Sequence, residues 1–169
     1  MLNSKCCFSS PFADSVTEII FRAVTDLKSR YLIHAPYGGR TARLGSWRAL
    51  VEAQATGRIR SIGVSNYGVH HLNELEACIQ DLENEHGRNA GGQISVGQWE
   101  LHPWLTRPDI VSWCEQRGVV IQAYCPLVRG QRLGDKALGQ LAKKAGKTEA
   151  QVLMRWSLQK VGMVRIHWN

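Results

Sequence analysis

Apolar residues along this chain fall into two alternating patterns. Short apolar runs with the length of buried strands alternate with stretches in which apolar residues recur every three or four positions, as on an amphipathic helix. The predicted strands are residues 31–34, 59–64, 94–98, 119–124 and 163–166. The predicted helices are residues 14–27, 47–56, 72–82, 109–117, 136–145 and 149–160. This alternation predicts an α/β fold with a parallel sheet, either open or part of a (β/α)8 barrel.

Residues with strong local preferences mark several helix ends. Gly57 and Gly118 each follow a predicted helix, where a glycine in the left-handed conformation ends the helix. Gln151 lies three residues after a threonine at the start of the last predicted helix, which is the spacing of a capping box. The predicted N-caps are Ser46, Thr106 and Thr148.

Polar or aromatic side chains follow four of the predicted strands. These are His34, Ser65 with Asn66, Gln98, and Tyr124. Because function in parallel α/β folds gathers at the carboxyl ends of strands, we expect these residues to face one ligand. Amide and hydroxyl groups beside an aromatic ring suit a flat, polar ligand such as nicotinamide. The alternative is structural: Ser65 and Asn66 cap the next helix, and His34 is a hydrogen-bonded core histidine.

Composition limits the classes of protein. The 169 residues are 44% hydrophobic and 21% charged, which is typical of one globular domain. The net charge is +7, but the basic residues are scattered and do not interleave with aromatic residues. We therefore expect a phosphorylated small molecule rather than a nucleic acid as the partner.

The five cysteines form no CxxC pair, so we expect neither a disulfide framework nor a metal site, and a reducing cytoplasm as the compartment. An apolar run long enough to cross a membrane is absent from the sequence, and the first ten residues lack the apolar core of a secretory signal. We therefore expect no membrane partner.

Five segments together resemble the aldo-keto reductases, and within that family the fungal members of the diketogluconate-reductase type. They are residues 31–36, 58–66, 98–103, 123–127 and 147–156. The resemblance implies an α/β fold that is a partial (β/α)8 TIM barrel, roughly strands four to eight with their helices. It implies an irregular lead-in at residues 1–13 and one partial barrel domain at residues 14–169.

The resemblance also implies a cofactor site for NADPH. Ser65, Asn66 and Gln98 match the residues that hold the nicotinamide carboxamide, and Tyr124 matches the tyrosine that stacks on the nicotinamide ring. Two further matches lie in the loop that approaches the cofactor pyrophosphate: Cys125, where the family more often has serine, and Leu127. The residue before Gln98 is often asparagine in the family and is Gly97 here.

By the same resemblance, His34 matches the catalytic histidine that helps to orient the carbonyl of a small-molecule substrate. The implied activity is reduction of an aldehyde or ketone to an alcohol with NADPH. The family's catalytic Asp, Tyr and Lys come from the first three barrel strands, and no matching motif is found in this sequence.

Two alternatives to the reductase stay open. The first is a non-redox enzyme on the same scaffold, such as a cyclase, isomerase or dehydratase, with His34 or Tyr124 as acid or base. The second is an inactive fragment or a binding module. Sheet edges left exposed by a partial barrel would favour a homodimer.

Overall fold

The computed structural model describes residues 30–161. The predicted lead-in, the helix at 14–27 and the strand at 163–166 lie outside the described residues. The strands are β1 (Arg30–Ile33), β2 (Ser61–Ser65), β3 (Val96–Glu100) and β4 (Val120–Tyr124). The helices are α1 (Gly39–Ala55), α2 (Val69–His86), α3 (Pro108–Arg117), α4 (Lys136–Ala145) and α5 (Glu149–Val161), with a 3-10 helix at Val128–Gly130.

The four strands form one parallel sheet in the order β1-β2-β3-β4. A helix connects each strand to the next, so every strand ends at the same edge of the sheet. The predicted α/β fold with a parallel sheet is therefore confirmed. The carboxyl edge of this sheet is where the loops that follow β1, β2 and β4 come together.

The hydrophobic core lies between the sheet and the helices. Trp47 and Leu50 of α1 pack with Ile62 and Val64 of β2, and none of the four is measurably exposed (0% each). The indole of Trp47 is also satisfied, because its Nε1 donates a 2.9 Å hydrogen bond to the Gly91 carbonyl. Burying an aromatic ring with its polar atom paired stabilises the packing without a desolvation penalty.

The other face of the sheet carries a polar row that positions the site. Residues that pair in register on parallel strands face the same side, and the pairs here are Ser65 with Gln98 and Gln98 with Gln122. Two residues further toward the carboxyl edge, on the same face, Glu100 of β3 pairs with Tyr124 of β4. The strands thus present polar groups on this face near the edge where they end.

Several strand boundaries differ from the predictions by one or two residues. β3 continues to Glu100, so Gln98 lies inside the strand rather than at its end. The extension is favoured because Trp99 is 1% exposed and its Nε1 donates a 2.7 Å hydrogen bond to the Tyr67 carbonyl. β2 begins at Ser61, so Ile59 precedes the strand although its side chain is buried.

Several helix starts and ends also differ. α1 begins at Gly39 rather than at residue 47, which places Ser46 inside the helix and not at its N-cap. The first turns of α1 lack apolar periodicity and are held by tertiary contacts: Arg43 makes a 2.7 Å ion pair with Glu74 of α2.

α2 continues to His86, beyond the predicted end at residue 82. The residue before α3 is Arg107 in the left-handed conformation (φ 41°), so Thr106 is not the N-cap.

Other predicted boundaries are confirmed. Gly57 (φ 73°) and Gly118 (φ 66°) adopt the left-handed conformation after α1 and α3. Thr148 and Gln151 form the capping box, in which Gln151 N donates to Thr148 Oγ1 and Thr148 N donates to Gln151 Oε1. These signals act over three or four residues, so the sequence alone determines them.

We expect the free energy of unfolding to fall as the pH rises above about 9. Burial raises the pKa of the Cys114 thiol from 9.0 to about 12 and that of the Tyr67 phenol from 10.0 to about 12. Between these values the unfolded chain loses protons that the folded chain keeps, so stability decreases by up to about 1.4 kcal/mol per pH unit for each group. Urea unfolding between pH 7 and 11 measures the decrease. The variant Cys114→Ala should show a smaller decrease between pH 9 and 10, and a profile that stays flat to pH 11 would contradict the expectation.

Candidate functional site

A cavity of about 1120 Å³ opens at the carboxyl edge of the sheet. All seven residues that the resemblance implicates line it. They are His34, Ser65, Asn66, Gln98, Tyr124, Cys125 and Leu127, and they are joined by Ala35, Pro36, Tyr37, Pro126, Arg129 and Gly130. The parallel topology brings these residues together from positions almost a hundred residues apart in the chain.

Asn66 is the residue at which the hydrogen bonds of the site converge. Its Nδ2 donates to the His34 carbonyl at 3.0 Å and to Ser65 Oγ at 3.1 Å. Its Oδ1 accepts a 2.9 Å hydrogen bond from the Tyr124 hydroxyl. The backbone of Asn66 is left-handed (φ 60°), a conformation that asparagine adopts more readily than most residues. Asn66 therefore links the ends of β1, β2 and β4.

Ser65 is fixed against the neighbouring strand. Its side chain is 3% exposed, and its Oγ donates a 2.9 Å hydrogen bond to the Gln98 carbonyl. The alternative that Ser65 and Asn66 cap the following helix does not match the structure, because Gly68 occupies the N-cap of α2. Ser65 and Asn66 instead line the cavity at the carboxyl edge of the sheet.

Gln98 and Gln122 form an amide pair across β3 and β4. Gln98 Nε2 donates a 2.7 Å hydrogen bond to Gln122 Oε1. The sequence pattern does not single out Gln122 as a site residue. Gln122 is the one amide within the predicted apolar strand at 119–124, and this could have indicated a role at the site. The residue lies two positions before the end of the strand, whereas the nominated residues lie at predicted strand ends.

Burial raises the pKa of the Tyr124 phenol above its ordinary value of 10.0, and the nearby carboxylate of Glu100 and thiol of Cys125 add to the rise. The phenol therefore stays protonated at neutral pH and remains the donor in its hydrogen bond to Asn66. This bond holds the aromatic ring at the wall of the cavity.

His34 follows β1 directly, and its side chain is exposed at the cavity rather than buried in the core. Its backbone carbonyl is held by Asn66, which fixes the chain at this position. The alternative of a hydrogen-bonded core histidine is therefore wrong for this structure.

The loop after β4 approaches the cavity with an unusual backbone. Cys125, Val128 and Arg129 all have positive φ values, of 51°, 52° and 52°. Arg129 is exposed and lines the cavity, so this loop brings a positive charge to the rim. A guanidinium beside a cavity suits a phosphate group, a role that the sequence pattern around Arg129 does not indicate.

Other features near the site have structural partners. Glu100 Oε1 lies 3.2 Å from His102 Nε2, and neither residue lines the cavity.

Within residues 30–161, no cluster of three or more histidine, cysteine or acidic side chains has the arrangement of a metal site. In the same part of the chain, no helix is long and apolar enough to span a membrane. Cys78, Cys114 and Cys125 are free thiols.

The family model of the aldo/keto reductase family matches residues 13–166, and the chain belongs to this family. An uncharacterized oxidoreductase of Schizosaccharomyces pombe is 46% identical over 130 residues, which are 77% of this chain and 42% of that protein. Glyoxal reductase of Bacillus subtilis is 40% identical over 145 residues, which are 86% of this chain and 48% of that protein. The chain spans less than half the length of these curated relatives.

Solved structures agree with this assignment. An aldo/keto reductase from Brucella melitensis matches with a TM-score of 0.74 at 26% identity, over 91% of this chain and 56% of its own. A mutant of Gox0644 in complex with NADPH matches with a TM-score of 0.71 at 28% identity, over 100% of this chain and 58% of its own. The parallel sheet with its alternating helices is therefore part of a (β/α)8 barrel, and the expected fold class is confirmed.

Proposed function

We propose that this chain binds NADPH in the cavity at the carboxyl edge of the sheet and takes part in reducing the carbonyl group of a small molecule. The observation that carries the proposal is that all seven residues nominated by the family motifs line one cavity. Membership of the aldo/keto reductase family and the match to a relative in complex with NADPH support the choice of cofactor.

The donors and acceptors in the cavity fit a nicotinamide. Gln98 uses its Nε2 within the protein, and its Oε1 has no hydrogen-bond partner among the described residues, so it is free to accept from the carboxamide. Ser65 Oγ lies at the end of the adjoining strand and Asn66 directly follows it, where they would complete the contacts to that group. The ring of Tyr124 would stack on the nicotinamide face.

A carboxamide oxygen can bind Asn66 only by displacing part of the existing hydrogen-bond network. Both Nδ2 protons of Asn66 and one lone pair of its Oδ1 already have protein partners. A carboxamide oxygen would therefore replace the Asn66–Ser65 bond, whereas a carboxamide N–H can be accepted by the second lone pair of Oδ1. Exchanging one hydrogen bond for another costs little free energy.

The loop after β4 would hold the phosphate end of the cofactor. Cys125 and Leu127 line the cavity, and Arg129 adds a guanidinium at its rim. A positive charge placed there attracts the phosphates and forms charge-assisted hydrogen bonds with them.

Bound NADPH would supply the hydride that adds to the carbonyl carbon. His34 would donate a ring N–H hydrogen bond to the carbonyl oxygen, which orients the substrate and favours the negative charge that develops there. Histidine is the side chain that most often transfers protons in enzymes, so it is a suitable group to deliver a proton to this oxygen. Exposure of the side chain at the cavity leaves it accessible to a substrate.

The test is a titration of the purified chain with NADPH, followed by tryptophan quenching, with circular dichroism on the same sample. We expect saturable quenching of a folded chain. Tyr124→Ala should weaken binding about tenfold because the stacked ring is lost, and Tyr124→Phe should bind within about threefold of the wild type. A folded wild-type chain that does not bind NADPH would refute the proposal and favour a non-redox role for the scaffold.

Reduction is tested by NADPH consumption at 340 nm with glyoxal and other small aldehydes, chosen because a relative is named glyoxal reductase. If the wild type consumes NADPH, His34→Gln should lower kcat about a hundredfold, because a positioned proton donor contributes about that much. NADPH affinity should stay unchanged, since His34 is assigned to the substrate. A His34→Gln variant that keeps the wild-type kcat would contradict this role. A variant that loses affinity for NADPH would also contradict it.

A further inference from the structure

Gln122 is the polar residue of β4 that the assigned roles leave unused. It lies opposite Gln98 in the register of β3 and β4, on the face of the sheet that leads to the cavity. Its Oε1 accepts the 2.7 Å hydrogen bond from Gln98 Nε2, and both side chains are partly buried. Gln122 itself does not line the cavity.

The two ends of a glutamine amide have opposite hydrogen-bonding character, one being an acceptor and the other a donor. Gln98 Nε2 donates one of its two N–H groups to Gln122, and this bond orients the amide with its Oε1, which has no hydrogen-bond partner among the described residues, available as an acceptor. Without a partner at position 122, the Gln98 amide could rotate by half a turn and present its donor instead. The partner therefore decides which chemical group this position offers to a ligand.

We propose that Gln122 is a positioning residue that fixes the orientation of the Gln98 amide, so that the cavity accepts the amide N–H of a nicotinamide and disfavours a carboxylate in its place. This inference rests on the proposed NADPH site. The sheet makes the arrangement rigid, because backbone pairing of β3 with β4 sets the separation of the two side chains. A preorganised acceptor loses no rotational freedom on binding.

Two variants at position 122 separate orientation from packing. Gln122→Glu keeps an acceptor for Gln98 Nε2, whereas Gln122→Met keeps the length of the side chain and removes the acceptor. We expect Gln122→Met to weaken NADPH binding about five- to tenfold, the effect of one misplaced hydrogen bond. Gln122→Glu should stay within about twofold of the wild type.

Two further ligands test the mechanism. Affinity for 2′-phospho-ADP-ribose, which lacks the nicotinamide, should be the same in the wild type and both variants. The wild type should prefer NADP⁺ over nicotinic acid adenine dinucleotide phosphate, and Gln122→Met should lose most of this preference. If Gln122 had only a structural role, its substitution would change the melting temperature and would change the affinity for every ligand to the same extent. Circular dichroism and these titrations measure both quantities.

The outcomes are distinguishable. If the wild type binds NADPH and Gln122→Met binds it equally well, the inference is wrong and the proposed function stands. Equal weakening by Gln122→Glu and Gln122→Met would also overturn it, because the acceptor would then not matter. If the folded wild type binds no NADPH, the proposed function fails and the inference fails with it.

Discussion

A chain in which Gly63 is replaced by alanine is expected to lose a large part of its stability. Gly63 lies in β2, which pairs with strands on both sides. A Cβ at this position would overlap the carbonyl oxygen of Val96 in β3 and would meet Leu32 Cδ2 of β1 at 2.9 Å. A leucine side chain can rotate away, but the Val96 backbone is fixed by the pairing of β2 with β3.

The expected cost of Gly63→Ala is more than about 3 kcal/mol, at the upper end of what overpacking produces. Because small domains are stable by only about 5–15 kcal/mol, this change should remove a large part of the free energy of unfolding. Urea unfolding followed by circular dichroism measures the loss.

Gly45 provides the matched control for this substitution. It lies within α1, and a Cβ built there has no atom within 4 Å. Gly45→Ala should raise the free energy of unfolding by about 0.5–1 kcal/mol, since alanine is the better helix former. If Gly63→Ala and Gly45→Ala shift stability by similar amounts, the steric explanation is wrong.

Removing the side chain of Asn66 is expected to have the largest effect on cofactor binding. Three hydrogen bonds from the side chain hold the ends of β1, β2 and β4 together. Asn66→Gly keeps the left-handed backbone and removes these bonds, and we expect about 10- to 100-fold weaker NADPH binding and a stability loss of about 1–3 kcal/mol. Asn66→Ala should cost about 1 kcal/mol more, because alanine disfavours this backbone conformation.

The control is a second left-handed asparagine. Asn89 has φ 70° and lies in the loop after α2, and it does not line the cavity. Asn89→Gly should leave NADPH binding unchanged, so a difference from Asn66→Gly isolates the side chain rather than the backbone. Isothermal titration calorimetry gives the affinities. If Asn66→Gly binds NADPH with wild-type affinity, the hydrogen bonds of the Asn66 side chain do not contribute to cofactor binding.

Much of the fold could be predicted because its signals are local. The apolar runs predict the ends of the four described strands to within two residues, and spacing alone predicts the capping box at Thr148 and Gln151. The candidate residues at the strand ends came from the topology, since parallel strands end at one edge. The roles of these residues remain a prediction.

The errors share a physical cause, which is that the deciding contact lies far away in the chain. α1 begins eight residues earlier than predicted, and its polar first turns are held by the ion pair between Arg43 and Glu74, which are 31 residues apart. β3 extends past Gln98 because the Trp99 indole is bound by the Tyr67 carbonyl. No pattern within β3 indicates that partner.

The amino-acid sequence by itself determined the alternation of strands and helices, the helix ends at Gly57 and Gly118, the capping box at Thr148 and Gln151, and the family, because each depends on neighbouring residues or on short motifs. Only the tertiary structure decided that Gln98 is oriented by Gln122 and that Asn66 joins three strand ends. It also decided that His34 is exposed rather than buried. These features depend on the register between strands, which brings together side chains that no local pattern relates.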